Sequence, residues 1–121
     1  MSTPSGHTSA IRGKKVIGTT VKNAQGDTLG HVEDVVLDKQ SNNIMFAVLS
    51  FGGFLGIGEK FHPIPWKALN YVPEEDAYVV NYTKDQLQAA PADTIDQLTK
   101  DDGRIYRDRS FDYYKVDRYW R

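Results

Sequence analysis

The sequence predicts an all-β domain, a small barrel or sandwich, followed by short helical segments and an aromatic-rich C-terminal tail. Three observations carry this prediction. Between residues 14 and 83 the apolar residues form five or six short runs of strand formers, separated by closely spaced turn signals. After Thr83 the period changes, and Pro91 and Asp101-Asp102-Gly103 punctuate helix-like pieces. Six of the fourteen aromatic residues then fall between Tyr106 and Arg121.

The elements follow in order. Residues 1–13 are small and polar, with Pro4, Gly6 and Gly13, and predict a disordered arm. Val16, Ile17 and Val21 open the strand region, residues 14–83. Asn23 to Asp27 supplies turn chemistry, with Gly26 free to take positive φ. Leu29, Val32, Val35 and Leu37 partly alternate, and Gly30 within that run predicts a bend or bulge. Ser41-Asn42-Asn43 is the next turn. Ile44–Phe51 is almost wholly apolar and predicts a central strand. Alternation puts either Ile44, Phe46 and Val48 or Met45, Ala47 and Leu49 toward the interior, with the other set lying under the tail. Ile44, Phe46, Val48 and Val79 are the expected core contributors.

A glycine-rich stretch from Gly52 to Gly58 comes next. Glu59 to Trp66 predicts a strand limited by Pro63 and Pro65. Leu69–Val72 and Tyr78–Tyr82 predict a closing hairpin around Glu74-Glu75-Asp76. In residues 84–121, Thr83 is the expected N-cap of a short helix reaching Ala89 or Ala90. Thr94 caps a second turn with Ile95 and Leu98 on one face.

This order of features resembles the PRC-barrel family. The resemblance covers roughly residues 14–83. It rests on Gly26-Asp27-Thr28-Leu29-Gly30-His31-Val32, on Val35-Val36-Leu37-Asp38, and on Ile64-Pro65-Trp66. The tail pieces Phe111-Asp112-Tyr113-Tyr114 and Tyr119-Trp120 are similar to the ending of some stand-alone members. The resemblance implies a small antiparallel β-barrel that works by binding other macromolecules. It implies no shared active site, and a fold by itself fixes no function.

Charge and composition bound the chemistry. The 15 basic and 16 acidic residues nearly cancel, so no global field draws in nucleic acid or an anionic membrane. Cysteine is absent, which excludes disulfides, thiolate metal sites and a cysteine nucleophile. No signal-peptide core or membrane-length apolar stretch is visible, and a cytoplasmic location without membrane insertion is expected.

The run Gly58-Glu59-Lys60 fails the P-loop pattern, and a strand instead of a helix is expected after it. Phe54, Leu55 and Ile57 fit either a contact surface or a cover folded over the barrel's end. Glu33, Asp34 and Asp38 lack the ligand density of a calcium loop, and alternation sends Glu33 and Asp34 to opposite faces. His31 and His62 are far apart in sequence and read as lone strand residues. No catalytic residue, metal ligand or cofactor site is expected.

In the tail, Arg104, Arg107, Arg109, Lys115, Arg118 and Arg121 interleave with rings, as on a single-strand nucleic-acid surface. Asp101, Asp102, Asp108, Asp112 and Asp117 offset them. Phe111, Tyr113, Tyr114, Tyr119 and Trp120 are therefore candidate contacts to the barrel, a second chain or a protein partner. The expected function is a non-catalytic protein-binding scaffold or adaptor, its own copy included among the partners. The alternative is an RNA- or ribosome-associated module.

Overall fold

The structure is a computed structural model that describes residues 10–51 and 60–120. The glycine-rich run with Phe54, Leu55 and Ile57 lies outside the described residues, as do residues 1–9.

The strand region begins with a helical turn, α1 (Gly13–Val16), where the sequence pointed to strand. Thr19 Oγ1 donates to the Lys15 carbonyl at 2.6 Å. Gly18, at φ 94°, then redirects the chain. Val16 is buried by this turn, and Ile17 is left exposed.

Six strands follow: β1 (Thr20–Asn23), β2 (Thr28–Leu37), β3 (Ile44–Phe51), β4 (His62–Ile64), β5 (Asn70–Val72) and β6 (Ala77–Val80). They form one sheet in the order β4-β3-β2-β1-β6-β5. The β1–β2 turn uses the predicted chemistry, with Gly26 at φ 90° and Asn23 Oδ1 accepting from the Gln25 and Asp27 amides. The register slips between Val21 and Lys22, leaving Leu29 as the extra residue beside Gly30. The β5–β6 hairpin closes around Glu74–Asp76 as expected.

The sheet is mixed, which corrects the purely antiparallel expectation. β1 pairs with β6 in parallel, Thr20 opposite Ala77 through Asn23 opposite Val80. All other ladders are antiparallel. The direction follows from the link between β4 and β5. Ladder by ladder, β4 and β5 run in the same sense, so Pro65–Leu69 is a crossing and not a hairpin. Four reversals and one crossing return β6 to the direction of β1.

The same link requires curling. In a flat sheet the two edge strands would lie about 24 Å apart at ~4.8 Å per strand. Six residue steps from Ile64 to Asn70 reach at most about 21 Å when fully extended. Trp66–Ala68 is a 3-10 turn and shortens that reach.

β3 is buried on both faces. Ala47 and Leu49 join Val21, Leu29, Val32, Ile64, Tyr78 and Val80 in the inner core. Phe46 and Val48 point the other way, into a second cluster with Met45, Phe61, Leu98 and Tyr106. Phe46 and Val48 are fully buried, as expected of them, whereas Ile44 and Val79 are half-buried.

Helices cover both clusters, with Leu87 lying in the inner core and Leu98 in the second cluster. α2 (Lys84–Gln88) starts with a capping box between Thr83 and Gln86. α3 (Ile95–Thr99) is capped by Thr94. α4 (Arg104–Tyr114) is an eleven-residue helix where the sequence suggested only a tail. Its buried residues, Tyr106, Ser110, Phe111 and Tyr114, share one helical face. Tyr106 belongs to the outer cluster and Tyr114 to the inner core, so α4 ties the two together. Among the described residues no helix is long and apolar enough to cross a membrane.

Candidate functional site

Three pieces of chain meet at the far end of β2. The first is the β2–β3 turn. Asp38 Oδ1 accepts from the Gln40 amide at 3.0 Å, and Asn42 sits at φ 63° to close the turn. The second is the α3–α4 junction. Asp101, Asp102 and Gly103 all adopt left-handed φ, at 54°, 58° and 74°. Gly103 packs so closely that an added Cβ would stand 3.0 Å from Met45 Sδ. The third is the C-terminal tail.

The tail reaches this place by a defined reversal. Lys115 at φ 57° ends α4, and the Val116 amide bonds back to the Phe111 carbonyl at 3.0 Å. The chain then returns along the helix. Trp120 packs edge-on to Phe111 with ring centroids 4.7 Å apart, and Tyr119 does so at 5.9 Å. The Arg107 guanidinium lies over the Trp120 ring, 3.8 Å from its centroid. Tyr119 donates to Asp38 Oδ2 at 3.0 Å. Burial opposes ionisation of Asp38. The Gln40 amide, the Tyr119 hydroxyl and Ser41 outweigh it and hold the carboxyl below its ordinary range.

The result is a cleft of about 840 Å³ between the β2–β3 turn, the start of α4 and the tail. Its apolar part includes Leu37, Met45, Tyr119 and Trp120, and its cations are Lys39, Arg104 and Arg107. A second recess beside α1 is lined by Arg12, Lys14 and Lys15 together with Asp76. It is shallower in chemistry, with no aromatic wall.

The predicted contact residues divide. Phe111 and Tyr114 are buried in the chain's own packing, at 2% and 4% exposure, so a partner would not meet them first. Tyr113 is exposed, and its hydroxyl donates to the Gln86 carbonyl. Tyr119 and Trp120 are half-buried and form a wall of the cleft. The Tyr114 hydroxyl has no partner among the described residues, and burial pushes its pKa well above the ordinary value.

The other candidates stay separate. His31 is exposed on β2, with Nε2 3.2 Å from Glu33 Oε1. His62 is buried on β4, and β3 lies between them. Glu33 and Asp34 are both exposed and do not face opposite sides. A register slip between Val32 and Asp34 makes Glu33 the extra residue of a bulge. Among the described residues no group of three His, Asp or Glu is gathered to hold a metal ion.

Leu37 and the α4 cations were not singled out as neighbours in the sequence. A signal was present, since Tyr106, Phe111 and Tyr114 fall on one face of a helix, and that helix would have placed Arg107 within the same face and Arg104 at its edge.

A family model described as PRC-barrel domain matches residues 9–87. No curated protein matches the chain.

Proposed function

The chain belongs to the PRC-barrel family, and on that premise we propose that it is a non-catalytic protein-binding module, a cytoplasmic scaffold or adaptor. The observation that carries this reading is the wall of Tyr119 and Trp120. Phe111 beneath and Arg107 above hold these rings half-exposed in a fixed pose. Rings already immobilised lose little freedom when a partner covers them, and aromatics beside arginine are what protein contacts favour. A second copy of the chain is among the candidate partners.

The alternative, an RNA- or ribosome-associated module, draws on the Arg107–Trp120–Arg118 stack. Both arginines are already engaged by helical acids, Arg107 by Asp108 at 3.0 Å and Arg118 by Asp112 at 3.2 Å. That pairing reduces what they offer to phosphates.

A photoreactive amino acid at Tyr113 or Trp120, activated in cells, tests the reading. Discrete adducts sensitive to protease and resistant to ribonuclease are expected. Adducts removed by ribonuclease would replace the reading with the alternative.

A further inference from the structure

We propose that the cleft between the β2–β3 turn and the start of α4 takes an acidic peptide segment with one apolar anchor, contributed by a partner protein. The inference rests on the binding-module reading and names the chemistry of its ligand.

The apolar half of the cleft explains the anchor. Leu37 ends β2 at 60% exposure, the most exposed large hydrophobic residue among those described. It lines the same space as Met45, Tyr119 and Trp120. The volume of about 840 Å³ suits a few side chains and is too small for a domain face. The walls are fixed before any ligand arrives, because Tyr119 is bonded to Asp38 and Trp120 is clamped by Phe111 and Arg107.

The charges explain the acids. Arg107 and Arg118 have carboxylate partners. The side chains of Lys39 and Arg104, which line the cleft, have neither a hydrogen bond nor an ion pair among the described residues. Gly103 provides no side-chain cap and the first turn carries no acid, so Asp101 and Asp102, just before the helix, are the carboxylates nearest its positive end. Two acids line the same space, Asp38 and Asp102. Asp38 is occupied by Tyr119 and the turn amides, which leaves Asp102 alone to receive a cation. A carboxylate-bearing segment therefore finds two free cations. A basic segment finds one exposed carboxylate.

The test is an amide-resolved NMR titration of the full chain. The probe is a short peptide with a central Leu among aspartates. Matched peptides carry Asn for Asp or Ser for Leu. Shifts should concentrate at Leu37–Ser41 and Gly103–Arg107. Binding should fall about tenfold for each cation reversed in Lys39→Glu and Arg104→Glu. Leu37→Ser should weaken the Leu peptide and not the Ser peptide. All three positions are exposed, so these variants keep the fold. Equal binding of the Asn peptide, shifts on another face, or no shifts at millimolar peptide would overturn the proposal. So would an oligouridylate that displaces the peptide from the same amides more tightly. A partner trapped in cells that binds the doubly reversed chain undiminished would sink the cleft and leave the binding-module reading standing.

Discussion

The Tyr119 hydroxyl donates to Asp38 Oδ2 at 3.0 Å, joining the end of the tail to the β2–β3 turn across 81 residues of chain. This contact is the latch that makes the tail part of the domain. It also fixes one wall of the cleft.

Breaking the latch should be mild and pH-dependent. Tyr119→Phe removes one part-buried hydrogen bond and should cost about 1 kcal/mol. Asp38→Asn removes more, because the turn amides lose their carboxylate as well. The folded state holds the Asp38 carboxyl below its ordinary value. Its contribution is therefore complete above about pH 4 and is lost as pH falls through the folded-state value. Thermal melts across acid pH should show a shallower loss for Asp38→Asn than for the wild type. Parallel curves would remove Asp38 from the latch.

Gly30 should be the least replaceable glycine of the sheet. A Cβ there would sit 1.8 Å from the Ser50 carbonyl oxygen, a backbone atom of the paired strand that cannot swing aside. Gly30→Ala should cost at least about 3 kcal/mol by overpacking. Gly26, at φ 90° with open space around it, sets the comparison. Gly26→Ala should cost only about 1–2 kcal/mol of left-handed strain. Urea denaturation of the two variants measures the difference, and equal midpoints would contradict the close approach of β2 to β3 at this position.

What was legible depended on whether the signal was local. The burial of Ile44–Phe51, the Gly26 turn, the β5–β6 hairpin and the caps at Thr83 and Thr94 all rest on neighbours within a few residues. The parallel β1–β6 pair does not. It follows from the Pro65–Leu69 crossing, and Ile64-Pro65-Trp66 reads equally well as a strand end before a hairpin. α4 was obscured by its own composition. Ser110 occupies a fully buried position, and seven of the other side chains are polar or exposed, so its apolar stripe is thin. The Tyr119–Asp38 contact has no sequence signature, because nothing local couples two polar residues so far apart.

Two truncations separate the roles of α4 and the tail. Removing residues 117–121 takes away Tyr119 and Trp120, uncovers Phe111 and opens the cleft. The sheet and both clusters keep every member, so a folded protein with a melting temperature lower by several degrees is expected. Removing residues 104–121 also deletes Tyr106 from the outer cluster and Tyr114 from the inner core. That chain should lose cooperative melting or precipitate. If light scattering instead found a soluble, cooperatively folded chain of halved mass, the tail would belong to an interface between copies.

His62 should give the protein a pH dependence that begins above the carboxylate range. The ring is 8% exposed on β4, edge-on to Phe51 with centroids 5.6 Å apart. One ring nitrogen bonds to the Pro91 carbonyl, and Nδ1 has no partner among the described residues. Burial disfavours the charged ring and lowers its pKa, while the Pro91 bond works weakly against that shift. The unfolded chain therefore takes up a proton more readily than the folded one. Stability is complete above about pH 6.5 and declines as pH falls from there toward the folded-state value. His62→Phe keeps an aromatic ring against Phe51 and removes the titration. Denaturation midpoints between about pH 6.5 and pH 5, above the ordinary carboxylate range, should decline for the wild type and stay level for His62→Phe. Equal slopes in that window would show that the ring is hydrated or partnered in solution, and that β4 is more open to water than its burial indicates.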